Sequence, residues 1–539
     1  MSATATETLG VALAKRLGDY GVDTIFGIPG VHTLELYRGL AQGRMRHVSA
    51  RHEGSLGFMA DGYARVSGKV GVCFVITGPG LTNISTAMGQ AYACSIPMLV
   101  ISAVGAQRGL GMGEGRLHEL KRQTTLAEGV AAFSLSLSHP DQLETALARA
   151  FAVFDGARPR PVHIEIPLNL LSAEVEVRTP RAPPLRLKRP SPQPADLDRA
   201  AQRLSAAKRP LIIAGGGSVG AARHIQTLAE TLAAPVLMTI NARGILPLNH
   251  PLALSWSASL AAVRNAISES DLVLALGTEL GPTDFDIYAD GGFCLAPEVI
   301  RVDIDPDQMV RNRVPELGVL GDVAHATQGL VKRLSPHAPR ALDVGQARVA
   351  GTDARALSEL SADMIAELAF LQDLRRAAPQ AIFVGDSTQQ VYAGNLGFAA
   401  ERPGQWFNSS VGFGALGYGL PAAVGAALAA PERPIVCLCG DGGLQFSLAE
   451  LAAAKETHAH IILILLNNGG YGEIKASMVA EGVSPIGVDL YTPDFIAVAK
   501  AYGWQAERLL DRTQIGDYMA AALARKGQTL IEIGPPVLP

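Results

Sequence analysis

Short runs of apolar, often β-branched residues recur along the chain, and each is followed by a stretch of helical length rich in Ala and Leu. A run that is apolar throughout, rather than at alternate positions, must be covered on both faces, and parallel sheets flanked by helices provide that cover. The expected class is α/β. Strands are expected at 24–27, 70–77, 97–102 and 162–166, then at 211–214, 235–239, 272–276 and 299–304, and finally at 381–385, 434–439, 460–466 and 529–533. Between the first two groups lies the Pro-rich stretch 179–194, which cannot sustain a helix or a central strand. A second linker is expected at 335–351, rich in Pro, Ala and Arg and weakly periodic. The 539 residues are therefore expected to form three consecutive doubly wound parallel-sheet domains, at 1–178, 195–334 and 352–539.

Composition narrows the partners. Hydrophobic residues make up 48% and charged residues 18%, and the formal net charge is -4 without any block of Lys or Arg. Such a balance offers nothing to nucleic acid or to an anionic membrane surface. No stretch approaches the roughly 20 apolar residues that span a bilayer, and the N-terminus has no export signal, so a soluble cytoplasmic chain is expected. Five Cys, at 73, 94, 294, 437 and 439, lack the spacing of a disulfide framework or a zinc site. Cys437 and Cys439 alternate along one expected strand, where both point to one face and simple burial is expected.

The most specific pattern lies in the third domain. Gly440-Asp441-Gly442 is followed, after 24 residues, by Asn467-Asn468, and the two elements bracket a strand, helix, strand unit. Asp441 and Asn468 then both lie just past the C-terminal ends of adjacent parallel strands, where α/β sheets bind ligands. A carboxylate and an amide oxygen suit a hard divalent cation such as Mg2+, which keeps several non-protein ligands and readily takes phosphate oxygens. A helix expected to start just after Gly442 would offer free N–H groups to the same anion.

At these residues the chain resembles the thiamine-diphosphate-dependent enzyme family, and the likeness extends over essentially its full length. The resemblance implies a pyrimidine-binding domain, a middle domain and a diphosphate-binding domain, in that order. It implies thiamine diphosphate and Mg2+ as cofactors, with Asp441, Asn468 and the carbonyl of Gly470 as metal ligands and Gly440 to Gly443 around the diphosphate. It further implies self-association, as a dimer or a tetramer, in which the first domain of one subunit and the third of another build each active site.

Two more segments agree with that family. Arg51-His52-Glu53, with Ala60-Asp61-Gly62-Tyr63-Ala64-Arg65 after it, resembles the family's glutamate motif, and Glu53 matches the residue that contacts N1' of the aminopyrimidine. A proton held there promotes the imino form, whose 4'-nitrogen takes the proton from the thiazolium C2. The segment Gly412 to Ala422 resembles the one that supports the bent cofactor, Leu416 matching the apolar wedge and the Gly414 carbonyl a contact to the pyrimidine. In Asp386-Ser387-Thr388-Gln389-Gln390, which departs from the family's usual wording, Gln389 and Gln390 are the candidates for the diphosphate.

The reaction is read from departures. Acetolactate synthases are the closest broad likeness, through Phe26 to Gly30, Gly78 to Asn83 and Ala60 to Arg65. Yet Gly54, Leu117-His118-Glu119 and Gly277-Thr278-Glu279-Leu280 stand where those enzymes carry Gln, Phe-Gln-Glu and the Arg-Phe-Asp-Asp-Arg pattern linked to their flavin. These departures argue against acetolactate formation and against bound FAD. Leu117-His118 is similar to an active-site segment of pyruvate decarboxylases, which makes His118 a candidate acid/base; those enzymes also carry an acidic residue after Pro-Gly, where this chain has Val31, and His32, which comes next, is the candidate to compensate for it; an exposed loop histidine is the alternative for each. Glu473 falls where relatives acting on apolar 2-oxo acids carry a small or aliphatic residue, and a carboxylate in that pocket calls for a cation. With Pro29 to Thr33 and Gly115 to Glu119, the chain resembles 5-guanidino-2-oxopentanoate decarboxylases. The small-molecule substrate expected is a cationic 2-oxo acid; an acetolactate synthase-like or sulfoacetaldehyde acetyltransferase-like ligase is the alternative.

Overall fold

The computed structural model describes residues 5–43, 45–177, 181–285, 298–335 and 340–535. Three six-stranded parallel sheets follow one another along the chain, each with helices on its faces. In the first sheet the strands Thr24–Gly27, Arg46–Val48, Gly71–Val75, Met98–Val104, Phe133–Ser136 and Val162–Pro167, counted in that order, lie side by side as second, first, third, fourth, sixth, fifth. The third sheet, built from Ile382–Gly385, Trp406–Asn408, Ile435–Gly440, Ile461–Leu466, Gln505–Leu509 and Gln528–Ile533, repeats that order. In both, the order reverses between the first and third strands, and the loops leaving their C-terminal ends open a crevice there. The middle sheet runs third, second, first, fourth, fifth, sixth instead.

The first and third domains share one hydrophobic core. Helix Glu53–Ser67 lies directly on helix Gly419–Ala429: a methyl group at Gly62 would stand 2.1 Å from the Ala422 carbonyl oxygen, and one at Gly425 would stand 1.9 Å from that of Met59. Only residues without a side chain permit that approach. The seam is pinned by buried Asp61, which accepts from Arg65 Nε at 2.6 Å and from the Tyr418 hydroxyl at 2.5 Å. Arg65 also donates to Asn241 of the middle domain at 3.1 Å and lies 5.4 Å from the ring centroid of Phe407 of the third domain, so one side chain touches all three domains.

Two expectations need correction. Residues 335–351 are not a linker beyond 343, because Asp343–Ser358 is a helix. Its buried stripe, Gly345, Val349, Thr352 and Ala356, has helical spacing but small side chains, which hides the amphipathic pattern. A methyl at Gly345 would meet the Ala233 carbonyl oxygen at 2.4 Å, so this helix, which spans the expected boundary at 352, packs on the middle domain. Residues 336–339 of that stretch, 179–180 of the first linker and Cys294 lie outside the described residues. The second correction concerns the helix after the Gly-Asp-Gly turn, which begins at Asp441 itself and ends at Gln445; a separate short helix follows at Leu451–Glu456. Cys437 and Cys439 are buried with their sulfurs 3.6 Å apart. Among the described residues, no helix is long and apolar enough to cross a membrane.

Candidate active site

Strands Ile435–Gly440 and Ile461–Leu466 are hydrogen-bonded neighbours in parallel register, Gly440 opposite Leu466, and this register carries Asp441 and Asn468 to the same sheet edge. The inner atom of the Asn468 side-chain amide stands 3.0 Å from Asp441 Oδ1 and 2.9 Å from the carbonyl oxygen of Gly470. Cis ligands of an octahedral Mg2+, at about 2.1 Å from the metal, are themselves about 3.0 Å apart. Asp441 Oδ2 is buried without a hydrogen-bond partner. Burial pushes the Asp441 carboxyl above its usual range, an effect opposed by backbone N–H groups including those of Asn468 and Gly442. The donor set fits a small oxygen-bound cation. No cluster of three or more His, Cys, Asp or Glu competes with it among the described residues. Beside it opens a cleft of about 390 Å³ lined by Gly442, Gln445, Phe446, Tyr471, Leu490 and Tyr491, all from the third domain.

Glu53, His32 and His118 are not in that cleft. Glu53 opens its helix, where the positive dipole end favours a carboxylate, and its Oε2 accepts from Asn83 Nδ2 at 2.9 Å. His32 and His118 do meet: their rings lie 5.2 Å apart, centroid to centroid, and the Nδ1 atom of each is buried without a partner. Burial, and then the neighbouring His118, hold the His32 imidazole below its usual pKa. His118 sits in the left-handed region at φ 61°, a conformation that a non-glycine residue adopts only when its surroundings impose it. Glu119 imposes part of it, accepting from the N–H groups of Gly113, Gly115 and Arg116 at 3.1, 2.8 and 3.0 Å.

Gln389 and Glu473 come together. Gln389 Nε2 donates to Glu473 Oε2 at 2.7 Å, joining the turn after Ile382–Gly385 to the first turn of helix Gly472–Ala480. Gln390 points elsewhere: it is fully buried, accepts from the Thr388 hydroxyl at 3.2 Å and lies beside Glu367. Leu416 is half-buried next to Ala415, whose N–H donates to Gln90 of the first domain at 3.1 Å, while Gly414 is exposed at φ 73°.

Three family models match the chain in sequence: the N-terminal TPP binding domain of thiamine pyrophosphate enzymes at residues 7–126, their central domain at 197–330 and their C-terminal TPP binding domain at 385–533. Over 530 residues the chain is 44% identical to a Pseudomonas aeruginosa protein named "Probable 2-ketoarginine decarboxylase AruI", covering 98% of this chain and 94% of that one. It is 31% identical to an acetolactate synthase of Arthrospira platensis over 97% of this chain and 93% of the other, and 29% identical to acetolactate synthase isozyme 1 large subunit of Escherichia coli over 96% and 92%. The chain belongs to the thiamine pyrophosphate enzymes. The two matched TPP binding domains are the ones whose sheets share one strand order, and the C-terminal one holds the Asp441, Asn468 and Gly470 oxygens.

Viewed as a thiamine pyrophosphate enzyme, the chain contains supporting residues that motif reading passed over. Asn83 and Gln90 lie on one helix, Pro79–Cys94, and attach the Glu53 and Leu416 segments respectively. Asp386 is fully buried among three site segments, accepting from Ser387 N at 2.8 Å and Gly419 N at 2.9 Å and lying under Gly443. Burial pushes its carboxyl up to about 6 against those donors. A buried acid followed by a Gly-rich segment is a signal the sequence contained, but which segment it holds depends on the sheet order.

Proposed function

We propose that this thiamine pyrophosphate enzyme decarboxylates a 2-oxo acid with a cationic tail, 5-guanidino-2-oxopentanoate, which is 2-ketoarginine. The observation that carries the reading is the state of Glu473. It is half-buried, its hydrogen-bond partner is the neutral amide of Gln389, and it makes no ion pair among the described residues. The nearby Lys475 is engaged with Asp489 at 2.7 Å. A half-buried carboxylate that no cation of its own chain occupies is available to one the substrate brings. The name of the relative at 44% identity points to the same substrate.

In this reading Asp441, Asn468 and the Gly470 carbonyl would hold Mg2+, whose positive charge would suit a diphosphate. Bound thiamine diphosphate supplies the nucleophilic carbon and the electron sink that loss of CO2 requires. Glu53 holds a proton at N1', kept in place by Asn83. The His32 and His118 pair, with one imidazole biased to the neutral form, accepts or returns a proton at the carbonyl end of the substrate. Because the cleft beside the metal ligands is lined by the third domain alone, we assign its Glu53 to a second copy of the chain, in a dimer or a dimer of dimers. The enzyme acts in cytoplasmic arginine catabolism, and no role is assigned to FAD.

The competing reading, a carboligase, is favoured by the two acetolactate synthases among the relatives. Product analysis separates the two. With 5-guanidino-2-oxopentanoate, thiamine diphosphate and Mg2+, the decarboxylase releases one CO2 and one 4-guanidinobutanal per substrate, whether or not a second carbonyl compound is present. A ligation product that replaces the aldehyde when an acceptor is added contradicts the decarboxylase assignment.

A further inference from the structure

We infer that Gln389 is a specificity-determining residue that reads the substrate tail together with Glu473, rather than a ligand of the diphosphate; this rests on the guanidino-acid reading above. Gln389 begins helix Gln389–Gly397 and Glu473 lies at the start of helix Gly472–Ala480, so both side chains are carried on rigid elements. The bond between them, from Gln389 Nε2 to Glu473 Oε2 at 2.7 Å, uses one donor and one acceptor. Gln389 Oε1 and Glu473 Oε1 make no hydrogen bond among the described residues. The result is a hydrogen-bonded pair with two further acceptor oxygens, one on each residue, and a single carboxylate.

A guanidinium is the complementary shape, a planar fork of N–H donors with one positive charge. Gln389 contributes in two ways. Its N–H fixes the rotamer of Glu473 without cancelling the charge, which a Lys or Arg in its place would do, and its carbonyl adds a second acceptor. Glu473 alone reads charge; the pair offers a carboxylate and a second acceptor to the several N–H donors of a guanidinium.

The test uses the holoenzyme and two substrates of equal shape, 5-guanidino-2-oxopentanoate and its uncharged isostere 5-ureido-2-oxopentanoate. Gln389→Leu is expected to lower kcat/KM for the guanidino acid about tenfold, mainly through KM, while changing that for the ureido acid less than threefold and leaving thiamine diphosphate affinity unchanged. In Gln389→Glu two carboxylates at this distance share one proton, which preserves the bridge. That variant is expected to keep the preference for the charged tail and to gain a rise of kcat/KM with pH for the guanidino acid alone, which a structural role would not produce. Wild-type enzyme that prefers the guanidino acid, with the same preference ratio retained in Gln389→Leu, overturns the role of Gln389 and leaves the function standing. Weakened cofactor binding in Gln389→Leu returns the residue to the diphosphate and also overturns it. No preference in the wild type overturns both.

Discussion

The side-chain amide of Asn468 lies 3.0 Å from Asp441 Oδ1 and 2.9 Å from the Gly470 carbonyl oxygen. With its nitrogen turned inward the amide donates to both. With its oxygen turned inward it becomes a third oxygen ligand for a cation placed among the three residues, and this sets up the first prediction. Asp441→Ala and Asn468→Ala are expected to leave a folded protein, with an unchanged far-ultraviolet circular dichroism spectrum, that no longer binds thiamine diphosphate at micromolar concentration with Mg2+ present. Calorimetric titration checks it, and wild-type affinity in either variant contradicts the anchor.

Glu53 is held by Asn83 at 2.9 Å on the opening turn of its helix, away from the third-domain cleft of its own chain. Glu53→Gln keeps the shape and the hydrogen-bonding capacity but not the proton-coupled contact. It is expected to bind the cofactor and to slow hydrogen-deuterium exchange at the thiazolium C2 by about 10^2 to 10^4-fold, the usual worth of a general acid/base. Exchange at the wild-type rate contradicts the role.

If Glu53 serves a neighbouring copy, activity must depend on association. Mixing inactive Glu53→Gln with inactive Asp441→Ala chains is expected to restore activity to up to about a quarter of the wild-type value, because some dimers then hold one intact site. Complete absence of complementation after co-expression contradicts the shared site.

Asp386 gives a dependence on pH. Its carboxyl is raised from 3.8 to about 6 by burial, so the folded chain prefers the protonated form. The stability this contributes is fully present below the unfolded pKa and is lost as pH rises through about 6, a change of roughly 3 kcal/mol. Asp386→Asn lacks that loss. Its thermal midpoint minus that of the wild type is expected to increase between pH 4.5 and 7.5 in scanning calorimetry of the apoprotein. A difference independent of pH contradicts the assignment of a buried, titrating Asp386.

How much of this was legible in the sequence follows from where each residue lies in a sheet. All twelve strands anticipated are inner strands, buried almost throughout and therefore mostly apolar, although Val162–Pro167, Glu298–Asp303 and Gln528–Ile533 include polar residues. Those passed over are Thr6–Thr8 and Glu174–Glu176, which form a separate two-stranded sheet, and Arg46–Val48, Phe133–Ser136, Ala253–Leu254, Leu317–Leu320, Trp406–Asn408 and Gln505–Leu509, the two edges of each large sheet, five of them only two to four residues long. In the site, Asp441 and Asn468 were legible because one strand, helix, strand unit fixes their relation. The bond between Gln389 and Glu473 spans 84 residues and the contact between His32 and His118 spans two loops, and no local pattern encodes either. Helix Asp343–Ser358 was missed for a third reason, since its buried stripe is made of small residues.

The central claim is that Glu473 reads a positive tail. A hydrogen bond to a charged group contributes about 1.5 to 3 kcal/mol net, and each 1.4 kcal/mol or so is a factor of ten in kcat/KM. The deciding measurement is kcat/KM of wild type and Glu473→Gln for 5-guanidino-2-oxopentanoate and for an uncharged 2-oxo acid of similar length. The account predicts a loss of roughly tenfold to a hundredfold for the guanidino acid in the variant, with little change or a gain for the uncharged one. An equal loss on both substrates, or a wild-type enzyme inactive on every cationic 2-oxo acid, would contradict it.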